Sequence, residues 1–486
     1  MEQSWKIRRA SLLAAICLVA TASTRGDTIV LKNGRRITAL SVTQEGEKIT
    51  YETASGTLTL PRSIVDHIER GTVPSLDTTT DASALNLKPP ETEAALATRP
   101  PSSSEIENRV IQNGEVDRAY VDELDQEARS GQALANQNAA MAHHVASQFE
   151  LAHGAMDPAL EDARSALTYL PEQPVLLMDT AYLYLRRSEY SQSLDYIERA
   201  RRLVPEDPEV SKLSGWAYYG LNKLDLAVAE WKHATSLRPD AEVEAALLKA
   251  QRDKQAEEQY KENESSHFTL RYSGASEPSL ARGVLHTLER HHAAIESELS
   301  YSPPDPIGVI LYTQQTFADI TQVPGWAGAL NDGRIRVPVQ GLNDVTPDLS
   351  RVLKHELTHS FVGQKTLGRA PTWIQEGLAQ WMEGKRSDLN AGALIAIYKT
   401  DPALGLKHFE GDWMKLSNAA AAAAYAWALA NLEYLIQSGG MNDVDRILDH
   451  LAAGDPPEAA LKAVMRCDYV ELTHDTVQYL RGKYGN

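Results

Sequence analysis

The chain has few cysteines, few basic residues and few aromatic residues. Its 486 residues include two cysteines, 48 Lys and Arg against 66 Asp and Glu, and 7% aromatic residues. A surface that binds nucleic acid is usually basic, so this charge balance argues against a nucleic-acid partner. No apolar run after residue 20 reaches the length that a membrane helix requires. The chain is long enough for about three domains.

The first 22 residues have the pattern of an export signal. Basic residues at positions 6, 8 and 9 precede an apolar run at 10–20, and Ala20 and Ala22 form a small-x-small cleavage site. We predict cleavage near Ala22, with no transmembrane anchor afterwards, because the run is too short to span a bilayer stably. The expected location is periplasmic or secreted, in a bacterium. Cys17 leaves with the signal, so Cys467 alone remains and no intrachain disulfide can form.

A short segment with strand patterns follows the signal. Residues 27–70 alternate apolar and polar side chains in runs separated by turns such as Asn33-Gly34 and Ser55-Gly56, which predicts a small β barrel. The pattern resembles SH3-like β modules of exported proteins. We interpret it as a structural module; binding of a peptide, a wall component or the chain's own carboxy-terminal domain is the alternative. Residues 71–115 begin rich in Thr, Ser and Pro and are predicted to be a disordered linker.

An internal repeat with a period of 34 residues begins near residue 140. Proline recurs at positions 171, 205 and 239, and alanine at positions 166, 200 and 234. The pattern resembles tetratricopeptide (TPR) repeats, and we place an α-helical solenoid with its capping helix at 140–261. The resemblance implies a concave surface that binds peptides or partner proteins. The alternative is a spacer between the β module and the carboxy-terminal domain.

The strongest chemical signal is the sequence HExxH, formed by His355, Glu356 and His359. Residues four apart share one face of a helix, so the two imidazoles can bind one metal ion while Glu356 lies beside it. A catalytic zinc usually takes a third protein ligand. Glu376 is the candidate, because it belongs to a predicted second helix at 371–384 whose apolar residues recur at helical spacing.

At these residues the chain resembles the gluzincin zinc metallopeptidases, especially peptidase MA-like domains in which HExxH precedes a Trp-Ile-x-Glu-Gly-Leu-Ala helix. The resemblance implies that His355, His359 and Glu376 bind Zn²⁺ and that Glu356 is the general base. It also implies a thermolysin-like α+β domain, which we place at 267–486. Zinc then lowers the pKa of its water toward about 7 and polarises the scissile carbonyl, and Glu356 passes the water proton to the leaving amine.

The resemblance also implies an oxyanion stabiliser and an orienting group. Many members use a Tyr or His downstream of the glutamate ligand; Tyr425 resembles that position, with Tyr434 as the fallback, although a core aromatic residue explains Tyr425 equally well. Some members carry an Asp four residues after the glutamate ligand, beside a zinc-binding histidine. This chain has Gln380 there. An amide can orient an imidazole but cannot raise its basicity as a carboxylate does.

A strand ahead of the metal helix is the candidate for substrate contact. In the gluzincin arrangement the edge strand before that helix pairs with extended substrate backbone. The residues that resemble it are Arg334, Ile335, Arg336 and Val337. An ordinary sheet strand is the alternative for this segment.

These patterns predict a multidomain α+β protein with a β barrel, a TPR solenoid and a metallopeptidase domain. The predicted function is zinc-dependent hydrolysis of peptide bonds in an exported protein, with the repeats recruiting a partner or the substrate. One alternative is a TPR-based binding or scaffold protein whose metal domain is not catalytic. Glu356 disfavours it, because a purely structural zinc needs no adjacent base. Another is a zinc hydrolase of a non-peptide amide or ester, since the metal activates water whatever is attacked.

Overall fold

The structure is a computed structural model that describes the greater part of the chain. The described residues are 27–32, 36–39, 41–46, 48–53, 56–69, 90, 103–273, 278–313, 330–331, 333–339, 342–400, 406–410, 413, 416 and 418–485. The predicted signal at 1–22 lies outside them. Within these ranges, no helix combines the length and the apolar character that crossing a bilayer requires.

The amino-terminal strands form two small antiparallel sheets. The strands are β1 (Asp27–Leu31), β2 (Arg36–Ala39), β3 (Ser41–Glu45), β4 (Lys48–Thr53), β5 (Gly56–Pro61) and β6 (Val65–Glu69). Their orders are β2-β1-β6 and β3-β4-β5. The sheets share a core that includes Ile29, Ile49 and Leu60. No strand pairing closes a barrel in the described part of this module. The predicted barrel is therefore corrected to two separate sheets over one core.

The predicted linker ends earlier than expected. Helix α1 (Ser103–Val110), hairpin strands β7 (Ile111–Gln112) and β8 (Glu115–Val116), and helix α2 (Arg118–Ala128) follow in turn. Ile106 and Val110, four apart on α1, are buried against Tyr120 and Leu124 of α2. The linker prediction is therefore wrong for residues 103–115, because this apolar face finds a core in the next helix.

The repeat region consists of helix pairs that recur at the period of the sequence. The helices are α3 (Ala133–Ala152), α4 (Met156–Tyr169), α5 (Pro174–Arg186), α6 (Tyr190–Leu203), α7 (Pro208–Gly220), α8 (Leu224–Leu237) and α9 (Ala241–Glu257). Helices α4, α6 and α8 begin 34 residues apart, and so do α5 and α7. Gly215 is required for close packing, because a Cβ there would lie 2.2 Å from Nε1 of Trp231.

The inner helices of this array are buried on every side. Residues 176–185 of α5 and 209–217 of α7 are buried without interruption. A buried run longer than two helical turns leaves no free helix face. Among them, Met178, Tyr182 and Trp216 belong to the core of the array. These two helices therefore offer no open concave surface to a separate protein.

The carboxy-terminal domain opens with a mixed five-stranded sheet. Its elements are β9 (Tyr260–Glu264), β10 (Phe268–Ser273), α10 (Pro278–Leu299), β11 (Ile307–Tyr312), β12 (Leu330–Asn331) and β13 (Ile335–Pro338). The strand order is β12-β13-β11-β10-β9. Strands β10, β11 and β13 are parallel, and β9 and β12 are antiparallel edge strands. Strand β11 is buried along its whole length, as expected for the centre of a covered sheet.

Helices pack on this sheet and build the rest of the domain. They are α11 (Pro347–Lys365), α12 (Thr372–Met382), α13 (Ala391–Thr400), α14 (Asn418–Gly439), α15 (Met441–Ala453), α16 (Pro457–Met465) and α17 (Tyr469–Tyr484). Helix α11 begins with Pro347 after Thr346, whose hydroxyl accepts a hydrogen bond from the Leu349 N–H at 3.1 Å. Leu367 and Gly368 have positive φ angles of 55° and 75° and reverse the chain toward α12.

The β module contacts the helix that carries HExxH. The Thr59 hydroxyl of β5 donates to Oδ2 of Asp348, in the first turn of α11, at 3.0 Å. Tyr51 is buried, and burial together with the negative charge of Asp348 raises its pKa. The module thus packs on the carboxy-terminal domain, which the sequence had suggested only as an alternative.

Candidate metal centre

Helices α11 and α12 bring two imidazoles and a carboxylate together. Nε2 of His355 lies 3.4 Å from Oε2 of Glu376, and Nε2 of His359 lies 3.8 Å from Oε1 of the same carboxylate. One ligand atom from each residue lies within 4.8 Å of the other two. In the described ranges no other group of three such residues has this geometry. The spacing of HExxH on one helix, and the tight return to the next, produce this convergence.

The donor set fits a zinc ion. Two imidazole nitrogens and one carboxylate oxygen are the ligands of a catalytic zinc site, and three of them leave a coordination position open. Oε2 of Glu376 is buried without a hydrogen bond. A buried carboxylate oxygen without a hydrogen bond is costly, and a cation removes that cost. The three side chains would therefore hold the metal.

The electrostatic environment of the cluster favours a positive charge. Burial alone would lower the pKa of His355, but the Glu383 and Glu376 carboxylates beside it raise that pKa to about 10. Burial alone would raise the pKa of Glu376, but the two imidazoles lower it. Burial lowers the pKa of His359, which keeps its imidazole neutral. A metal cation at this point would take the place of the proton on His355.

Glu356 and Tyr425 lie beside the ligand cluster. Glu356 is buried, and Nδ2 of Asn331 in β12 donates to its backbone oxygen at 2.8 Å. Tyr425 lies close to Glu376 and Glu356, and burial together with their negative charges raises the pKa of its hydroxyl well above the usual value. Tyr425 is therefore a neutral hydroxyl at neutral pH. Tyr434, the fallback candidate, instead donates to Oδ2 of Asp475 at 3.4 Å, away from the cluster.

Close helix packing brings Tyr425 near Glu376. Helix α12 crosses α14 at Gly377, where a Cβ would lie 2.7 Å from the backbone oxygen of Ala428. Only a residue without a side chain permits this approach. Nε2 of Gln380 then donates to the backbone oxygens of Glu376 and Tyr425, at 3.1 and 3.0 Å. Gln380 therefore joins the two helices and does not contact a ligand imidazole.

Two groups that contact the imidazoles of the cluster are not predicted from the sequence. Oε1 of Glu383 lies 3.4 Å from Nδ1 of His355. Oε1 of Gln375 lies 3.4 Å from Nδ1 of His359. Glu383 follows Glu376 by seven residues, which is two helical turns, and this spacing could have identified it as a neighbour on the same face.

The four residues proposed to line the substrate have buried side chains. Among the described strands, β13 is the second of the sheet, and the edge on this side is β12. The prediction that 334–337 forms the edge is therefore corrected. Ile335 and Val337 belong to the hydrophobic core, and the guanidinium groups of Arg334 and Arg336 face α9.

The two arginines are bound to carboxylates of α9. Arg334 donates to Glu257 at 2.9 and 2.7 Å and to Asp253 at 3.2 Å. Arg336 donates to both carboxylate oxygens of Asp253, at 3.1 and 2.8 Å. Their partners lie about 80 positions earlier in the chain, so local sequence patterns could not reveal the pairing.

Comparison with known proteins places the cluster inside a family match. Residues 293–482 match the family model described as Peptidase MA superfamily. No curated protein matches the chain. Among solved structures, the chain is similar to the first TPR domain of the human RPAP3 protein, solved by NMR, with 21% identity over 23% of this chain and 89% of that chain. The TM-score of 0.23 is too low to support a structural comparison. The chain thus carries, at 293–482, a peptidase-like domain similar to the Peptidase MA superfamily, and His355, His359 and Glu376 lie inside it.

Proposed function

We propose that this protein is an exported zinc metallopeptidase of the gluzincin type, with Glu356 as its general base. The observation that carries the proposal is the convergence of His355, His359 and Glu376 within 4.8 Å, on two helices of the region that matches the Peptidase MA superfamily. Three buried or half-buried ligands with one open position are typical of a catalytic zinc and not of a closed structural site.

Each side chain of the site has a role in peptide hydrolysis. When bound, zinc would polarise the scissile carbonyl and lower the pKa of a water molecule toward about 7. Glu356 takes the proton from the attacking water and delivers it to the leaving amine. Tyr425, whose raised pKa keeps its hydroxyl protonated, donates a hydrogen bond to the oxygen that becomes negative.

We assign substrate contact to the edge strand β12 in place of β13. An extended peptide can add to an exposed sheet edge through backbone hydrogen bonds. Asn331 of β12 donates to the backbone oxygen of Glu356 and to the Ser360 hydroxyl, at 2.8 and 2.6 Å. A peptide held at this edge would therefore lie beside the general base.

The repeat region is proposed to recruit a partner or the substrate, but from its outer surface. Helices α5 and α7 are buried, whereas a cavity of about 630 Å³ opens between α4 and α6. Arg164, Tyr196 and Arg199 are among the residues that line it. A scaffold protein with a non-catalytic metal domain is the second candidate function. An intact base and a hydroxyl donor beside the ligands favour the peptidase.

The test compares cleavage of a peptide library by the wild type and by Glu356→Gln. The variant keeps the three ligands, so we expect unchanged zinc content and a rate about 10²–10⁴-fold lower. Glu172→Gln, at an exposed position in the repeats, is the control and should cleave like the wild type. Equal rates for wild type and Glu356→Gln would exclude Glu356 as the base. Retained zinc without any peptide cleavage would favour the scaffold or a non-peptide amide substrate.

A further inference from the structure

We propose that Glu383 is the positioning residue of the metal centre, and that its carboxylate orients the His355 imidazole so that Nε2 faces the metal. The inference rests on the proposed zinc site. A carboxylate four residues after the glutamate ligand could orient this imidazole, but this chain carries Gln380 there. We assign the role to Glu383 instead.

The two nitrogens of His355 face different carboxylates. Nε2 lies 3.4 Å from Glu376, on the ligand side, and Nδ1 lies 3.4 Å from Glu383, on the opposite side. A carboxylate oxygen accepts hydrogen bonds, so Glu383 favours the tautomer that carries its hydrogen on the nearer nitrogen, Nδ1. The neutral imidazole then offers its lone pair at Nε2. Glu383 thereby selects the tautomer that can bind a metal.

The burial of Glu383 argues against a merely structural carboxylate. Its side chain is 1% exposed, and neither of its oxygens, nor Nδ1 of His355, has a hydrogen bond of good geometry. Lys385 provides the balancing charge, with Nζ 3.0 Å from Oε1. Burying a carboxylate without full hydrogen bonding costs stability. One of the two groups beside this carboxylate is His355, so its burial is linked directly to the proposed metal centre.

Gln380, four residues after Glu376, has a different role. Gln380 donates to two backbone oxygens and joins α12 to α14, so its amide does not reach His355. Glu383 follows Gln380 by three positions, on the same helical face and just beyond the end of α12. The two tasks are thus divided between Gln380 and Glu383.

The experiment measures zinc binding by the full chain, by competition with a chromogenic chelator. Glu383→Gln keeps the shape of the side chain and removes its charge, and we expect zinc affinity to fall about 10–100-fold. Glu383→Asp retains a carboxylate and should recover part of the affinity. The matched control is Glu296→Gln, which removes a carboxylate 3.6 Å from Nδ1 of the buried His292, outside the site. Its zinc affinity should equal that of the wild type.

The melting temperature of the metal-free chain, with circular dichroism at the assay temperature, shows whether each variant is folded where its zinc affinity is measured. Glu383→Gln removes the carboxylate beside His355 and Lys385, so its metal-free form should melt below the wild type, and Glu383→Asp should recover part of that loss. Unchanged zinc affinity in Glu383→Gln overturns the proposal. A Glu383→Gln chain that is unfolded at the assay temperature, with no recovery of folding or of zinc affinity in Glu383→Asp, also overturns it. A wild-type chain that binds no zinc would instead refute the proposed function, and this inference with it.

Discussion

At the scale of single residues, the sequence could predict which three side chains converge but not all of their neighbours. His355 and His359 are four residues apart and therefore share one face of a helix, and the apolar pattern around Glu376 indicates a second helix. The structure brings these three side chains together. Glu383 and Gln375 were missed, because their contacts depend on how α12 packs against α11. The division of tasks between Gln380 and Glu383 likewise depends on the position of α14.

The prediction at the scale of single residues concerns the Tyr425 hydroxyl. Tyr425→Phe removes the hydroxyl that is proposed to stabilise the oxyanion, and kcat should fall about 10²–10³-fold. Zinc content should not change, because the hydroxyl is not among the three ligands. Tyr434→Phe, on the same helix but bonded to Asp475, is the matched control and should keep the wild-type kcat. A Tyr425→Phe variant as fast as the wild type would return Tyr425 to an ordinary core role.

At the scale of elements, regular spacing was predictable and close packing was not. The period of 34 residues recurs in the starting positions of α4, α6 and α8. Composition predicts a linker at 103–110 because a Pro-rich stretch precedes it, although Ile106 and Val110 share a helical face. The edge strand was misplaced by one, because β12 is only two residues long and leaves little pattern in the sequence.

The prediction at the scale of elements concerns Gly377, where α12 crosses α14. Gly377→Ala places a Cβ 2.7 Å from a backbone oxygen, so the helices must separate, at a cost of about 1–3 kcal/mol. Because Glu376 and Tyr425 lie at this crossing, zinc affinity should fall together with the melting temperature. The control is Gly363→Ala on α11, where the nearest atom is 3.9 Å away. It should be neutral or stabilising, since Ala favours the helix. Equal melting temperatures for the two variants would contradict the packing argument.

At the scale of the whole molecule, the repeats and the peptidase-like domain are joined by buried charges. Asp253 and Glu257 of α9 bind Arg334 and Arg336 next to the sheet, and all four side chains are 1% exposed. The sequence predicts a capping helix and a separate domain. The junction between them could not be predicted, because ion pairs between distant segments leave no local sequence pattern. Helix α9 thus serves both the solenoid and the sheet.

This junction predicts cooperative unfolding. Asp253→Ala leaves two buried guanidinium groups without their shared partner and should destabilise the chain by about 3–5 kcal/mol. In the wild type, the repeats and the peptidase-like domain should unfold in one transition in urea, monitored by circular dichroism and tryptophan fluorescence. Asp225→Ala removes the exposed pair between Asp225 of α8 and Lys254 of α9 and should cost less than about 1 kcal/mol. Similar losses in both variants would show that the buried network does not hold the two regions together.

The most direct measurement is the zinc content of the purified, dialysed chain, with Glu376→Ala beside the wild type. Removing one of three protein ligands leaves two imidazoles, which hold zinc far more weakly. The account predicts about one zinc per wild-type chain and almost none in Glu376→Ala. A wild-type chain without zinc, or a variant that keeps the wild-type zinc content, would contradict the proposed metal centre.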